Sequence, residues 1–220
     1  MLIAAAVPIG LFFAARGQKS LVPQGARNLA ETSIEFIEEQ IVMPTIGPDG
    51  MRYVPFLLSL FFFIAIGNLF EVIPMFHMPA NARMAGPLVL ALTVYALWIF
   101  VGVKNHGLGY IKELLFPPGV PKALYILVTP IEFLSNFLIR PFSHAVRLFA
   151  NMLAGHILLV TFSVLCIALW QTGPLLAVEA LTFPMLVGLT AFEIGVALLQ
   201  AFVFTILTGV YIGGALHPAH

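Results

Sequence analysis

Two long apolar runs, separated by only three residues, dominate the second half of this chain. The first covers residues 123–170, the second covers 174–216, and Gln-Thr-Gly lies between them. As helices, these runs would reach about 60–70 Å, which is about twice the thickness of the hydrocarbon core of a bilayer. Helices of this length must tilt strongly, break or extend out of the lipid. The pattern therefore predicts two long, tilted helices that form an antiparallel hairpin.

The composition excludes most soluble and nucleic-acid-binding classes. Hydrophobic residues make up 60% of the chain and charged residues only 9%, whereas soluble domains carry roughly 25% charged residues. The formal net charge is zero, so the basic patch expected of a nucleic-acid-binding protein is missing. The single cysteine, Cys166, allows no internal disulfide and no zinc cluster. We predict one all-α integral membrane domain over residues 1–220, with no metal and no cofactor.

Three shorter apolar segments complete a prediction of about five transmembrane helices. Residues 53–73 and 87–103 are ordinary spans. Residues 1–15 are apolar but short, and Arg16 ends them. A signal peptide would begin with basic residues, which this segment lacks. We therefore interpret residues 1–15 as the first span.

Residues 27–43 follow a different pattern. Ala30, Ile34, Ile37 and Ile41 recur at helical spacing, and four glutamates occupy the rest of the helical wheel. This predicts an amphipathic helix that lies on the membrane surface or against a partner. A solvated connector fits the same pattern equally well.

Basic residues in the short loops predict the orientation in the membrane. Seven of them fall in loops 16–52 and 104–122, namely Arg16, Lys19, Arg27, Arg52, Lys104, Lys112 and Lys122. The loop on the other side holds only Arg83. We expect the first two loops to be cytoplasmic, with the N-terminus outside and the C-terminus in the cytoplasm.

Arg147 is the most unusual residue of the hairpin. An arginine at the centre of a transmembrane helix costs about 2.5–3.5 kcal/mol on insertion scales. The nearest acid in its own run is Glu132, fifteen positions upstream and about 22 Å away on a continuous helix. The counter-charge must therefore come from the other helix, from water or from another chain.

The second long run carries further polar groups. A turn centred near position 172.5 would place Gln200 opposite residue 145, Glu193 opposite residue 152 and Glu179 opposite residue 166. A neutral glutamine near Arg147 leaves the positive charge available to another chain. Glu179, Glu193 and Gln200 share one helix face. Titratable groups at several membrane depths are typical of a proton path.

Each of these residues also has a structural interpretation. Arg147 alone would fit a static ion pair or a side chain that reaches towards the headgroups. His156 alone would fit a packed histidine, pointing to the side of its helix opposite Arg147. Asn151 and Gln200 would fit interhelical hydrogen bonds. The combination is more informative than any single residue.

Two stretches resemble a known family. Residues 140–152, RPFSHAVRLFANM, resemble the signature RP-x-S-x-x-x-RLF-x-NM, and residues 199–208, LQAFVFTILT, resemble LQAFxFxxLT. Both signatures belong to the a subunit in the membrane sector of bacterial-type F-type ATP synthase. The resemblance covers about residues 53–214.

The resemblance implies roles for individual residues. Arg147 matches the essential arginine that faces the rotating ring of c subunits, Gln200 the glutamine beside it, and Asn151 the asparagine of the motif. Some bacterial proteins of the family have an acid at the position of His156 and a histidine at the position of Glu193. In this chain the two residue types are exchanged. The exchange therefore keeps one carboxylate and one imidazole in the implied proton path.

The resemblance also implies a mechanism and partners. The chain would be a non-catalytic stator subunit whose two half-channels carry protons, rather than Na⁺, to and from the c-ring carboxylates. Glu179, His144 and Glu132 are further candidates for channel lining, although Glu132 and His144 fit structural positions near the headgroups equally well. The expected partners are the c-ring, the b-subunit peripheral stalk and, through the stalks, the catalytic head, in a bacterial inner membrane.

The main alternative function is a self-contained ion channel or secondary transporter. Many secondary transporters contain internal repeats, but residues 1–103 and 123–216 show no self-similarity. A structural membrane anchor is a second alternative, in which Arg147 would hold a permanent ion pair. The chain that supplies the carboxylate nearest Arg147 distinguishes these interpretations.

Overall fold

The computed structural model describes residues 5–6, 8–10, 13, 25–72, 84–107, 109–116, 124–170 and 176–217. All regular structure in these ranges is helical, which confirms the predicted all-α class. Most of the predicted first span, the turn at 171–174 and four of the basic loop residues lie outside the described residues. Those four are Arg16, Lys19, Arg83 and Lys122.

The helices are named here in chain order. They are α1 (Ala26–Ile37), α2 (Val54–Val72), α3 (Ala85–His106), α4 (Gly109–Leu115), α5 (Tyr125–Phe133), α6 (Arg140–Leu169) and α7 (Leu176–Leu216). A π-helical segment, Glu38–Val42, and a last turn, Met43–Thr45, extend α1, and a 3-10 helix, Pro48–Tyr53, leads into α2. A second π-helical segment, Leu134–Ile139, joins α5 to α6.

Four helical stretches in the described part of the chain are long and apolar enough to cross a membrane. They are Pro48–Phe70, Ala85–His106, Tyr125–Leu169 and Val178–Leu216. The last two have 45 and 39 residues, so the two longest helices lie at the C-terminal end, as predicted. The chain is a multi-pass membrane protein.

The two long helices pack against each other in antiparallel order. The ring of His144 lies on that of Phe204, with centroids 3.8 Å apart, and Asn151 donates a hydrogen bond to Gln200. The register differs from the prediction, because Gln200 lies opposite Asn151 rather than residue 145. Glu193 lies against Gly155 rather than residue 152. Gly155 has no side chain and admits the Glu193 carboxyl between the helices, a contact that sequence spacing does not specify.

Helix α1 packs on its own chain. Ile37 and Ile41 are fully buried in a cluster that also contains Leu57 of α2 and Ile212 of α7. The apolar stripe predicted for residues 27–43 is thus covered by the bundle, which argues against a solvated connector. Gly213 lacks a side chain where the backbone of Thr45 approaches α7.

Candidate functional site

Arg147 lies on an exposed part of α6. Its guanidinium forms no ion pair and no hydrogen bond with any described residue. Glu179 and Glu193, the acids predicted on the other arm of the hairpin, are buried. Glu193 lies against Gly155, eight positions beyond Arg147 and therefore about 12 Å along the helix. Within the described chain, Arg147 is an unpaired cation.

Asn151 and Gln200 form the polar contact nearest to Arg147. The Asn151 side-chain amide donates to Oε1 of Gln200 at 2.7 Å. Gln200 is buried, and its Nε2 has no hydrogen-bond partner among the described residues. The bond fixes the orientation of the glutamine one turn away from Arg147 on the packed side of the hairpin.

Glu193 places a carboxyl group at the interface of α6 and α7. It is buried, and its carboxyl accepts no hydrogen bond from the described residues. A small cavity of about 10 Å³, enough for about one water, is lined by the polar residues Asn68, Asn151, Glu193 and Gln200. The structure thus brings three of the predicted site residues together.

Asn68 of α2 is a member of this group that the sequence analysis did not identify. It is 5% exposed, and its side-chain amide donates to the carbonyl oxygen of Ala197 at 3.5 Å. The signal was an amide inside the predicted span 53–73. The criterion that identified the polar residues of the hairpin would have found it.

His156 and Glu179 lie further along the hairpin. His156 is half-buried directly after Gly155 and makes contacts of its own. Glu179 is buried, and its Oε2 accepts a hydrogen bond from Thr182 at 3.0 Å, while Oε1 has no partner in the described residues. Fourteen positions separate Glu179 from Glu193, which is about 21 Å along α7. The structure therefore does not bring Glu179 to the group around Arg147.

His144 belongs to an aromatic cluster on the other side of Arg147. It is 3% exposed, and its Nε2 has no partner among the described residues. One turn earlier, the Arg140 guanidinium lies 5.5 Å from the ring centre of Trp98 and 5.8 Å from that of Tyr211. Such cation–π contacts hold a guanidinium without an acid.

Glu132 lies in a separate contact between helices. Asn136 donates to Glu132 Oε2 at 2.9 Å and to the carbonyl oxygen of Leu114 at 3.0 Å. The amide thereby ties the π-helical segment to the end of α4. Glu132 and His144 are equally good candidates for channel lining in the sequence. In the structure, Glu132 accepts a hydrogen bond from Asn136, whereas His144 lies among aromatic rings.

The surroundings of Arg147 favour contact with another molecule. Two large apolar side chains, Leu158 and Leu165, are exposed on about the same face of α6 as Arg147. A permanent cation on such a face can pair with an anion supplied from outside the chain. No group of three or more potential metal-ligating side chains occurs in the described residues.

Comparisons with known proteins identify relatives over nearly the whole chain. The family model described as "ATP synthase A chain" matches residues 1–213. "ATP synthase subunit a" of Frankia alni is 42% identical over 222 residues, which are 99% of this chain and 76% of the relative. The protein of the same name from Streptomyces lividans is 43% identical, covering 100% of this chain and 78% of the relative. The one from Hyphomonas neptunium is 42% identical, covering 99% and 85%.

Proposed function

Since this chain belongs to the ATP synthase A chain family, we propose that it forms two proton half-channels that load and unload carboxylates on a rotating c-ring. Membership in the family gives it a role in ATP synthesis and proton transport within the membrane sector, together with c and b subunits. The half-channel mechanism and the roles of single residues are the proposal.

The unpaired charge of Arg147 is the observation that carries the proposal. Its guanidinium is exposed and has no acidic partner among the described residues. A c-ring carboxyl that arrives within about 4–6 Å would have its pKa lowered by about 1–3 units, so it would release its proton. The guanidinium itself does not deprotonate. It therefore also repels free protons and keeps the two half-channels separate.

Glu193, His156 and Asn151 line the outer half-channel in this proposal, with Glu179 nearer its mouth. Glu193 is buried beside a cavity of about 10 Å³, and its carboxyl accepts no hydrogen bond from the described residues, which supports a role in binding and releasing protons. His156 follows the glycine that makes room for this carboxyl. Histidine side chains can act as proton shuttles.

The inner half-channel is proposed to open between Arg147 and the cytoplasm, with His144 and Glu132 as its candidate residues. The distribution of basic loop residues supports an orientation with the N-terminus outside and the C-terminus in the cytoplasm, and the family resemblance supports a bacterial inner membrane. One proton crossing 100 mV contributes about 2.3 kcal/mol. Several protons must therefore pass through the c-ring for each ATP formed in the catalytic head, to which the b-subunit stalk connects the stator.

The test is the substitution Arg147→Ala in the assembled complex. ATP-driven proton pumping in inverted vesicles should be abolished, while passive proton flux through the membrane sector should increase because the barrier charge is lost. Lys104→Ala, which removes an exposed cation from α3, is the matched control and should keep both properties. Coupled pumping by Arg147→Ala at the normal rate would exclude the proposed role.

A further inference from the structure

A groove of about 910 Å³ lies between α1, the first half of α2 and part of the N-terminal segment. Most of its lining is apolar, including Ile9, Phe13, Ile34, Val54, Leu58 and Phe63. Among the described residues, the polar members of its wall are Arg27, Glu31, Glu38 and Ser59. None of the residues of the proposed proton path lines this groove.

Among the described residues of the groove, the Glu38 carboxylate has no ion-pair partner. The Arg27 guanidinium pairs with Glu31 at 2.8 Å, so these two charges largely compensate each other. Glu38 is half-buried and accepts no side-chain hydrogen bond from the described residues. An apolar groove whose described wall carries one carboxylate without an ion-pair partner fits a ligand that has an apolar body and a cationic, hydrogen-donating head.

The position of Glu38 suits the head of a membrane lipid. Its neighbour Ile37 packs with Val54 and Leu57 in the first turns of α2, and the apolar span that contains α2 begins at Pro48. Glu38 therefore lies near the end of a membrane-crossing helix, where headgroups are found, and the apolar wall of the groove continues from there along α2.

The size of the groove suits a small molecule, since the groove measures about 910 Å³. Its volume falls within the range of about 300–1,000 Å³ that small-molecule sites have.

We infer that this groove binds a phospholipid with a primary ammonium head, of the phosphatidylethanolamine type, through a charge-assisted hydrogen bond to Glu38. The acyl chain lies along the apolar wall formed by Ile34, Leu58 and Phe63. An anionic lipid without an amine is disfavoured, because it would add negative charge next to an unpaired carboxylate.

The experiment measures the lipids that remain bound to the assembled membrane sector. The sector is reconstituted in vesicles of equal phosphatidylethanolamine and phosphatidylglycerol, extracted in mild detergent and analysed by native mass spectrometry. The unaltered complex should retain phosphatidylethanolamine in about tenfold excess. Glu38→Gln should reduce the ratio to near one, while Glu39→Gln, which removes the same charge from the exposed neighbouring position, should leave it unchanged.

A second variant tests the groove itself. Ser59 is exposed and lines the wall, so Ser59→Trp should fill the space and reduce bound lipid of both kinds, with the partner subunits still copurifying. Equal retention of the two lipids by the unaltered complex would overturn the inference, as would an unchanged ratio in Glu38→Gln. A cross-link from Ser59→Cys to a partner polypeptide, rather than to a lipid-borne photoprobe, would overturn it too.

Discussion

Replacing Gly155 by alanine should displace the Glu193 carboxyl while changing the stability of the hairpin little. A Cβ atom at residue 155 would lie 2.6 Å from Oε2 of Glu193 and would overlap the rest of the carboxyl more severely. Ordinary contact begins at 3.4 Å, so this oxygen must move by at least about 0.8 Å. The obstructing atoms are the end of a flexible side chain, so the carboxyl can swing away while the helices stay in place.

The expected changes in flux and stability differ in size. A misplacement of about 1 Å can cost about a hundredfold in a positioned reaction, so we expect proton flux to fall by about ten- to a hundredfold. Alanine in a helix interior gains about 0.5–1 kcal/mol over glycine, and a displaced rotamer costs about 0.5–1.5 kcal/mol. The net change in unfolding free energy should therefore stay within about 1 kcal/mol, which corresponds to about 2–4 °C in melting temperature.

The assays are ATP-driven proton pumping in inverted vesicles and thermal unfolding of the solubilised complex. Gly188→Ala is the matched control, because a Cβ at residue 188 would meet nothing within 4 Å. It should keep normal flux. Combining Gly155→Ala with Glu193→Asp, whose shorter side chain withdraws the carboxyl from α6, should restore part of the flux. Normal pumping by Gly155→Ala, or an equal loss in Gly188→Ala, would show that the space at Gly155 does not position the Glu193 carboxyl for proton transfer.

Three further predictions concern single polar side chains. Glu193→Gln should slow passive proton flux in vesicles stripped of the catalytic head, since an amide cannot bind and release a proton; a normal rate would remove Glu193 from the path. Asn151→Ala should cost about 1–3 kcal/mol because it leaves the buried Oε1 of Gln200 without a donor, and the double variant with Gln200→Leu should be more stable, as measured by thermal unfolding. Asn136→Leu removes the donor to the carbonyl of Leu114 and should speed limited proteolysis within α4, whereas unchanged protection would contradict this contact.

The fold class and the two long C-terminal helices could be predicted because they depend on hydrophobicity and length. An apolar run whose helical length is about twice the thickness of the hydrocarbon core has few alternatives to a helix in a membrane. Arg147 could likewise be singled out, since the cost of a charge in lipid depends little on the details of packing. The structure agrees with the expectation that no described acid of its own chain neutralises this charge.

The register of the hairpin could not be predicted in the same way. It depends on the fit of one carboxyl into the space left by Gly155 and on one amide–amide bond between Asn151 and Gln200. Neither contact follows from the position of a turn. Asn68 could have been singled out as an amide inside the predicted span 53–73, but its place beside Glu193 depends on how α2 packs against α7.

The π-helical segment Leu134–Ile139 has a consequence for how the chain tolerates changes in length. A π turn holds one residue more than an α turn, because its hydrogen bonds skip one residue further along the chain. Deleting one residue there would yield a regular α-helix and leave both flanking halves facing the same neighbours. The same deletion between Arg147 and Gly155 would rotate everything beyond it by about 100°, swinging one half of the interface with α7 out of alignment. Natural or engineered shortening of this long helix is therefore best accommodated at Leu134–Ile139.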